Sequence, residues 1–272
     1  MGNVCGASQS NVKEGLSAKQ WLEHINKPGI SAEIGSWTAE RSCHEDNVRN
    51  TSRYYLYFLK RGDYEDASVP GHIIYTRDLK PNIVRYFCKV CQDQLSGSGI
   101  NDTMFEYAHL VLCMRKSIED ILADENIKKD KDILNHIMGF CLCMVEDSKD
   151  HVILGTEGEH VLYIDKLCSH CNQGGKILRT LETLSPTKQQ ECFGDQYKTS
   201  CLDAIESAIG FYDKQGYKTL AMNTDTNTAF MVKHIVQSAG KFKSKGRKYT
   251  VRIGSRGGKY ILVNGKKIYI RS

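Results

Sequence analysis

The residues with the clearest chemical potential are Ser169-His170-Cys171-Asn172-Gln173-Gly174-Gly175. This polar turn ends in two glycines. It follows Val161–Cys168, a mostly apolar run rich in β-formers, and it opens Lys176–Leu184, where Ile177, Leu178, Leu181 and Leu184 recur at helical spacing. A strand that turns tightly into a helix aims backbone N–H groups and the positive end of the helix dipole at one point. That arrangement suits a phosphate. A second strand–helix pair follows a polar insertion. Thr199–Ala204 is short and strand-like, and Ile205–Gln215 places Ile205, Ala208, Ile209 and Tyr212 on one helical face before Gly216 stops it.

Cysteine is the other reactive type, with 11 in the chain. Cys88-Lys89-Val90-Cys91 and Cys168-Ser169-His170-Cys171 both have zinc-ligand spacing, with His170 as a further ligand. The second pair falls inside the glycine turn, and the gap between the pairs is long for a small zinc module. Cys141-Leu142-Cys143 alternates as a buried strand would. Reduced cysteines buried as small apolar residues are therefore expected, and no metal.

The elements that must hold these residues read as an α/β (α+β) chain. Its 272 residues can bury a good core and allow one to three domains, and 40% hydrophobic with 25% charged residues is ordinary globular composition. No apolar run approaches the roughly 20 residues of a membrane span, and no secretory signal opens the chain, so it is not expected to be secreted. Residues 1–15 are polar and expected to be mobile. Residues 16–98 mix a helical pattern at Ala18–Ile25 with an aromatic cluster at Tyr54–Leu59, and Ser96-Gly97-Ser98-Gly99 marks a break. Residues 99–240 form the next unit. In it Tyr107–Met114 and Met138–Val145 read as strands, and Ser117 caps a helix through Asp124. Residues 241–272 form the last.

Leu202-Asp203-Ala204-Ile205-Glu206-Ser207-Ala208-Ile209-Gly210-Phe211-Tyr212-Asp213-Lys214-Gln215-Gly216-Tyr217 resembles the signature of the GNAT acetyltransferase superfamily. The pattern is leucine-x-alanine, a small residue, phenylalanine-tyrosine, then glycine-aromatic. The upstream strand–turn–helix resembles that family's acetyl-CoA pyrophosphate loop. It departs from the common form in having His170 at the first position and Gln173 at the first glycine, while Gly175 matches the last. The resemblance spans roughly residues 100–236. It implies a mixed central sheet flanked by helices, and acetyl-CoA as the acyl donor. Ser169, Gln173, Gly174, Gly175 and Lys176 would hold the pyrophosphate, and an N–H near Leu167 would polarise the thioester carbonyl. Tyr212 would protonate the leaving thiolate. Glu157, Glu159, His160 and Asp165 are the nearby candidates for the base.

The C-terminus reverses the charge of the rest. The chain carries 37 Lys and Arg against 32 Asp and Glu; residues 241–272 hold 11 of the former and no acid, which leaves 26 against 32 before them. Lys248–Ile253, Lys259–Val263 and Lys267–Arg271 alternate like strands, and Asn264-Gly265 is a two-residue hairpin signal, so a small three-stranded meander with cationic edges is expected. Arg256-Gly257-Gly258-Lys259-Tyr260 and Val263-Asn264-Gly265-Lys266-Lys267-Ile268-Tyr269 resemble the basic adaptor domain of chlorella viruses and other large DNA viruses. Lys248, Arg252, Arg256, Lys259, Lys266, Lys267 and Arg271 would gain affinity for nucleic acid, or for an acidic viral protein surface, by counterion release. Tyr260 and Tyr269 would stack.

Met1-Gly2-Asn3-Val4-Cys5-Gly6 partly fits an acylation signal, with Gly2 for a myristoyl chain and Cys5 for a second acyl group that would make membrane contact stable. Two functional classes follow. One is a viral N-acetyltransferase tethered by its basic tail. The other is an inactive acetyltransferase fold reused in the virion as a minor capsid or membrane-bridging protein. Location would be the virion or the host cytoplasm or nucleus.

Overall fold

The computed structural model describes residues 16–40, 51–60, 108–151, 154, 159–170, 172–235, 238–244, 247–253, 259–263 and 266–269. The chain divides into two compact units: residues 1–144 with 164–178, and residues 145–163 with 179–272. The fold class is as expected, mixed α/β with a large sheet and flanking helices.

In the first unit, α1 (Ala18–Ile25) starts with a capping box in which Ser17 and Gln20 satisfy each other's backbone N–H groups. It buries Ala18, Trp21, Leu22 and Ile25. β1 (Ser31–Glu40) pairs antiparallel with β2 (Thr51–Leu59), and β2 pairs antiparallel with β3 (His109–Met114). β1 and β2 therefore share a sheet with β3, the strand after residue 107. The expected break at Ser96–Gly99 lies outside the described residues. The short helices α2 (Ile118–Ala123), capped by Ser117, and α3 (Asp130–Leu134) pack beside α1. Asp130 Oδ1 accepts the Ala18 N–H at 2.9 Å, and the buried Tyr57 hydroxyl accepts the Ile118 N–H at 3.1 Å.

β4 (Ile137–Asp147) is fully buried from Ile137 through Cys143. It continues the order β1-β2-β3-β4 to β5 (His160–Ser169). His170 N–H donates to Met138 O at 2.7 Å and Ser148 N–H to Glu159 O at 2.7 Å, which ties the two ends of β4 to the opposite ends of β5. One core surrounds Trp21, Tyr57, Phe140 and Cys168.

His136 lies just before β4, and its Nδ1 is sealed from water with no hydrogen-bond partner among the described residues. Burial, reinforced by the positive Arg115 and Lys116, pushes its pKa down from 6.5 to about 4. The folded state thus stays neutral where the unfolded chain takes up a proton. Stability from this group is complete above pH 6.5 and is lost as pH falls toward 4. With the ring only half-buried, the loss is on the order of 1–2 kcal/mol. Urea midpoints measured between pH 7 and pH 4 should fall more steeply for the natural chain than for His136→Leu; parallel profiles would refute the assignment.

In the second unit, α4 (Gly174–Glu182) ends and α5 (Pro186–Phe193) follows, with Ser185 as cap and Pro186 in its first turn. β6 (Thr199–Ile205) runs into α6 (Glu206–Gln215), which Gly216 ends at φ +92°, where a side chain would be strained. β7 (Lys218–Asn223) and β8 (Thr228–His234) form a hairpin, and the order β5-β6-β8-β7 makes β7 an edge. The β5–β6 connection passes through two helices.

A separate sheet holds β9 (Ser238–Ser244), β10 (Arg247–Ile253), β11 (Lys259–Val263) and β12 (Lys266–Tyr269) as an antiparallel meander. The three expected strands are present. A fourth, β9, precedes them and pairs antiparallel with β10, Phe242 in register with Tyr249. Among the described residues no helix is long and apolar enough to cross a membrane.

Candidate active site

Gly139 lets β4 and the end of β5 come together. A Cβ on Gly139 would sit 2.6 Å from Cys168 O and 2.8 Å from Ser169 Cα. The chain then leaves the sheet through Ser169 and His170, passes Asn172 at φ +57°, and enters α4 at Gly174. Gln173, only 4% exposed, anchors the turn. Its Oε1 accepts the Trp37 indole N–H at 2.9 Å, and Trp37 stacks on Tyr54, its cross-strand partner. Gln173 O accepts both Lys176 N–H and Ile177 N–H. The donors at the helix start outside that pairing are those of Gly174 and Gly175, in a position that every α-helix leaves without internal carbonyls. Ile177 and Leu178 are buried and hold the first turn of the helix in place.

The predicted loop residues are thus gathered in one short arc. Leu167 and Ser169 are half-buried, Gln173 and Gly174 buried, Gly175 half-buried and Lys176 exposed. The first glycine position of the common loop is filled by Gln173, whose side chain is turned inward to Trp37. The departure from pattern therefore adds a clamp to the loop.

Cys168 is disulfide-bonded. That corrects the expectation of reduced thiols at this position. Strand periodicity reports burial and is blind to a partner elsewhere in the chain. Cys113, Cys141, Cys143, Cys192 and Cys201 are buried and not disulfide-bonded, and burial pushes Cys113 and Cys201 up to about 12, far from thiolate chemistry. Cys88, Cys91 and Cys171 lie outside the described residues.

Tyr212 lies on α6 at 8% exposure, its ring edge-on to Phe211 at 5.0 Å and to Tyr217 at 5.7 Å. Of the base candidates, Glu159 and His160 are exposed, with His160 Nε2 3.6 Å from Asp195 Oδ1; Asp165 is half-buried beside Lys166; Glu157 lies outside the described residues. Sequence reading missed another pair. His151 Nε2 lies 2.7 Å from Glu146 Oε2, and its ring is stacked by Tyr163 at 5.2 Å and Phe230 at 5.6 Å. Their separation of five residues spans a strand end and a 3-10 turn, Ser148–Asp150, which no simple spacing rule flags.

On the basic sheet, Arg252, Lys266 and Lys267 are exposed, while Lys248 and Lys259 lie on β10 and β11. Tyr269 is 64% exposed but Tyr260 only 5%, under the Lys267 ammonium at 5.1 Å. Stacking is therefore open to Tyr269 and closed to Tyr260, whose ring lies under Lys267 and beside the Tyr269 ring at 5.8 Å. Arg256, Arg271, Gly2 and Cys5 lie outside the described residues.

No protein-family model and no curated protein matches the chain. Among solved structures it is similar to Arabidopsis thaliana NAA60 in complex with a bisubstrate analogue, at 10% identity, covering 65% of this chain and 96% of that one with a TM-score of 0.38. It is similar to the catalytic domain of Tetrahymena GCN5 histone acetyltransferase in complex with coenzyme A, at 11% identity, 66% and 93% coverage and a TM-score of 0.35. It is also similar to Ard1 from Thermoplasma volcanium, at 11% identity, 58% and 95% coverage and a TM-score of 0.35.

Proposed function

We propose that residues 100–236 form an acetyl-CoA-dependent N-acetyltransferase module of the GNAT type and that the C-terminal sheet tethers it to a polyanion. The observation that carries the first half is the strand–turn–helix from β5 to α4, with its turn clamped by Trp37 through Gln173 and its glycine donors at the helix start. The residues fit a pyrophosphate. Two consecutive glycines let the backbone approach closely, and the helix start supplies N–H groups and a positive dipole end. Acetyl-CoA would supply the acyl group. The backbone near Leu167 would orient the carbonyl, Lys176 stands exposed beside the loop, and Tyr212 would hold the proton needed by the departing thiolate.

Exposure of Arg252, Lys266, Lys267 and Tyr269 supports the tether, with nucleic acid or an acidic viral protein as the partner. Acylation at Gly2 and Cys5, and residence in a viral particle or infected cell, belong to the same proposal on the strength of the terminal motifs alone.

The low exposure of Tyr212 favours a second reading, in which the fold serves as a structural virion component without chemistry. Calorimetric titration with acetyl-CoA separates the two. The first predicts micromolar binding that Gly175→Glu abolishes, since a bulky carboxylate there excludes a pyrophosphate. Absence of binding at millimolar ligand would leave the second.

A further inference from the structure

The second unit contains a cavity of about 510 Å³ that the acyl-donor site does not use. Its walls include Asp150, His151, Asp203, Met222, Asn223 and Phe230, and among the described residues no Lys or Arg lines it. The aromatic side is closely packed. His151 is held by Glu146 at 2.7 Å and lies against the rings of Tyr163 and Phe230. Phe230 is rooted in a core cluster with Val161, Cys201 and Val232. The acidic side is positioned too. Asp203 Oδ2 accepts the Tyr163 hydroxyl at 3.0 Å, which leaves Oδ1 as its second acceptor. Met222, 53% exposed on β7, adds an apolar lip.

We propose that this cavity binds a primary alkylammonium group, with Asp203 and Asp150 as its counter-charges and the Phe230–His151 wall and Met222 against its alkyl stem. A cation over an aromatic face and beside a carboxylate is favoured by both fields at once. Asp203 Oδ2 already accepts the Tyr163 hydroxyl, and a compact ammonium needs only one acceptor from each carboxylate. Binding of the cation does not depend on the acetyltransferase reading; its use as the acyl acceptor does.

The full chain would be titrated with spermidine, with N-acetyl-lysine methylamide and with the neutral N-acetyl-norleucine methylamide, following Met222 methyl resonances by NMR. The expected result is saturable binding of one or both cations and none of the neutral analogue. Spermidine alone would indicate a free polyamine, and the lysine amide a protein side chain. Asp203→Asn keeps an acceptor for Tyr163 and removes the charge, so it should weaken the cation about tenfold or more. Asp150→Asn should weaken it in the same direction. Asp213→Asn, on α6 and outside the cavity lining, should change nothing. Equal binding of the norleucine amide, or affinity indifferent to Asp203→Asn, would overturn the proposal. Acetyl-CoA titrated into the same samples keeps the two ideas apart. Acetyl-CoA binding without ammonium binding removes the cavity assignment alone, and ammonium binding without acetyl-CoA removes the acetyltransferase alone.

Discussion

Gly139→Ala is expected to lower the melting temperature by about 6–12 °C, from a cost of about 3 kcal/mol at the upper end of overpacking penalties. The new methyl group would meet Cys168 O at 2.6 Å and Ser169 Cα at 2.8 Å. Neither is the far end of a flexible side chain. Both belong to the β5 backbone, and His170 N–H is itself bonded to Met138 O, next to the substitution. Relief therefore has to come from moving the strand end. That strand end is also the entrance to the glycine turn, so acetyl-CoA affinity should fall with stability. Calorimetry well below the melting temperature tests the second effect separately from the first. A variant that melts like the natural chain would show that β4 and β5 do not approach as closely as described.

Most of the elements that frame the turn could be read before any coordinates. Helix α1 falls on Ala18–Ile25 as the spacing of Trp21, Leu22 and Ile25 requires, and Ser117 caps α2 as expected. β5, α4, β6 and α6 each fall within two residues of their expected limits, because periodicity and terminal glycines are local signals. The helix α5 falls where the sequence suggests a polar insertion, although Ser185-Pro186 and Gly194 bracket it. Its buried residues, Gln189, Cys192 and Phe193, include a glutamine, which amphipathic reading counts as surface. Gln189 is inside because its side chain answers two backbone groups, accepting from Tyr197 N–H at 3.0 Å and donating to Leu184 O at 3.2 Å. Such pairing is a tertiary fact.

The candidate site divides in the same way. The turn and its glycines were legible because a phosphate cradle is built from consecutive residues. The Trp37–Gln173 clamp joins residues 136 positions apart, and nothing local to either announces it. The same holds for Tyr163 and Asp203, 40 positions apart, and for the ring of His151 stacked on Phe230. The face of α6 was overread. Ala208 and Ile209 are half-buried, and only Tyr212 of that helix is fully covered.

Lys233→Met should destabilise the second unit by about 2–3 kcal/mol, because it strands a buried carboxylate. Glu182 is 5% exposed. One of its oxygens accepts the Tyr217 hydroxyl at 3.0 Å and the other accepts the Lys233 ammonium. Tyr217 in turn lies 2.8 Å from Ser200 Oγ, and the ammonium sits 5.5 Å above its ring. With its proton committed to Glu182, Tyr217 takes its own bond from the serine, so the four groups form one directed chain. Burial and the Glu182 charge push the Tyr217 pKa upward, which keeps it a neutral donor. A fully buried pair broken on one side costs about 3–5 kcal/mol; Lys233 keeps a quarter of its side chain in water, hence the smaller figure. Glu182→Gln removes the charge but leaves an acceptor for Tyr217, so the double variant Glu182→Gln/Lys233→Met should be more stable than the sum of the two single losses. A denaturant-based double-mutant cycle measures that coupling directly. Additive losses would mean that the ammonium contributes packing on Tyr217 and little charge compensation.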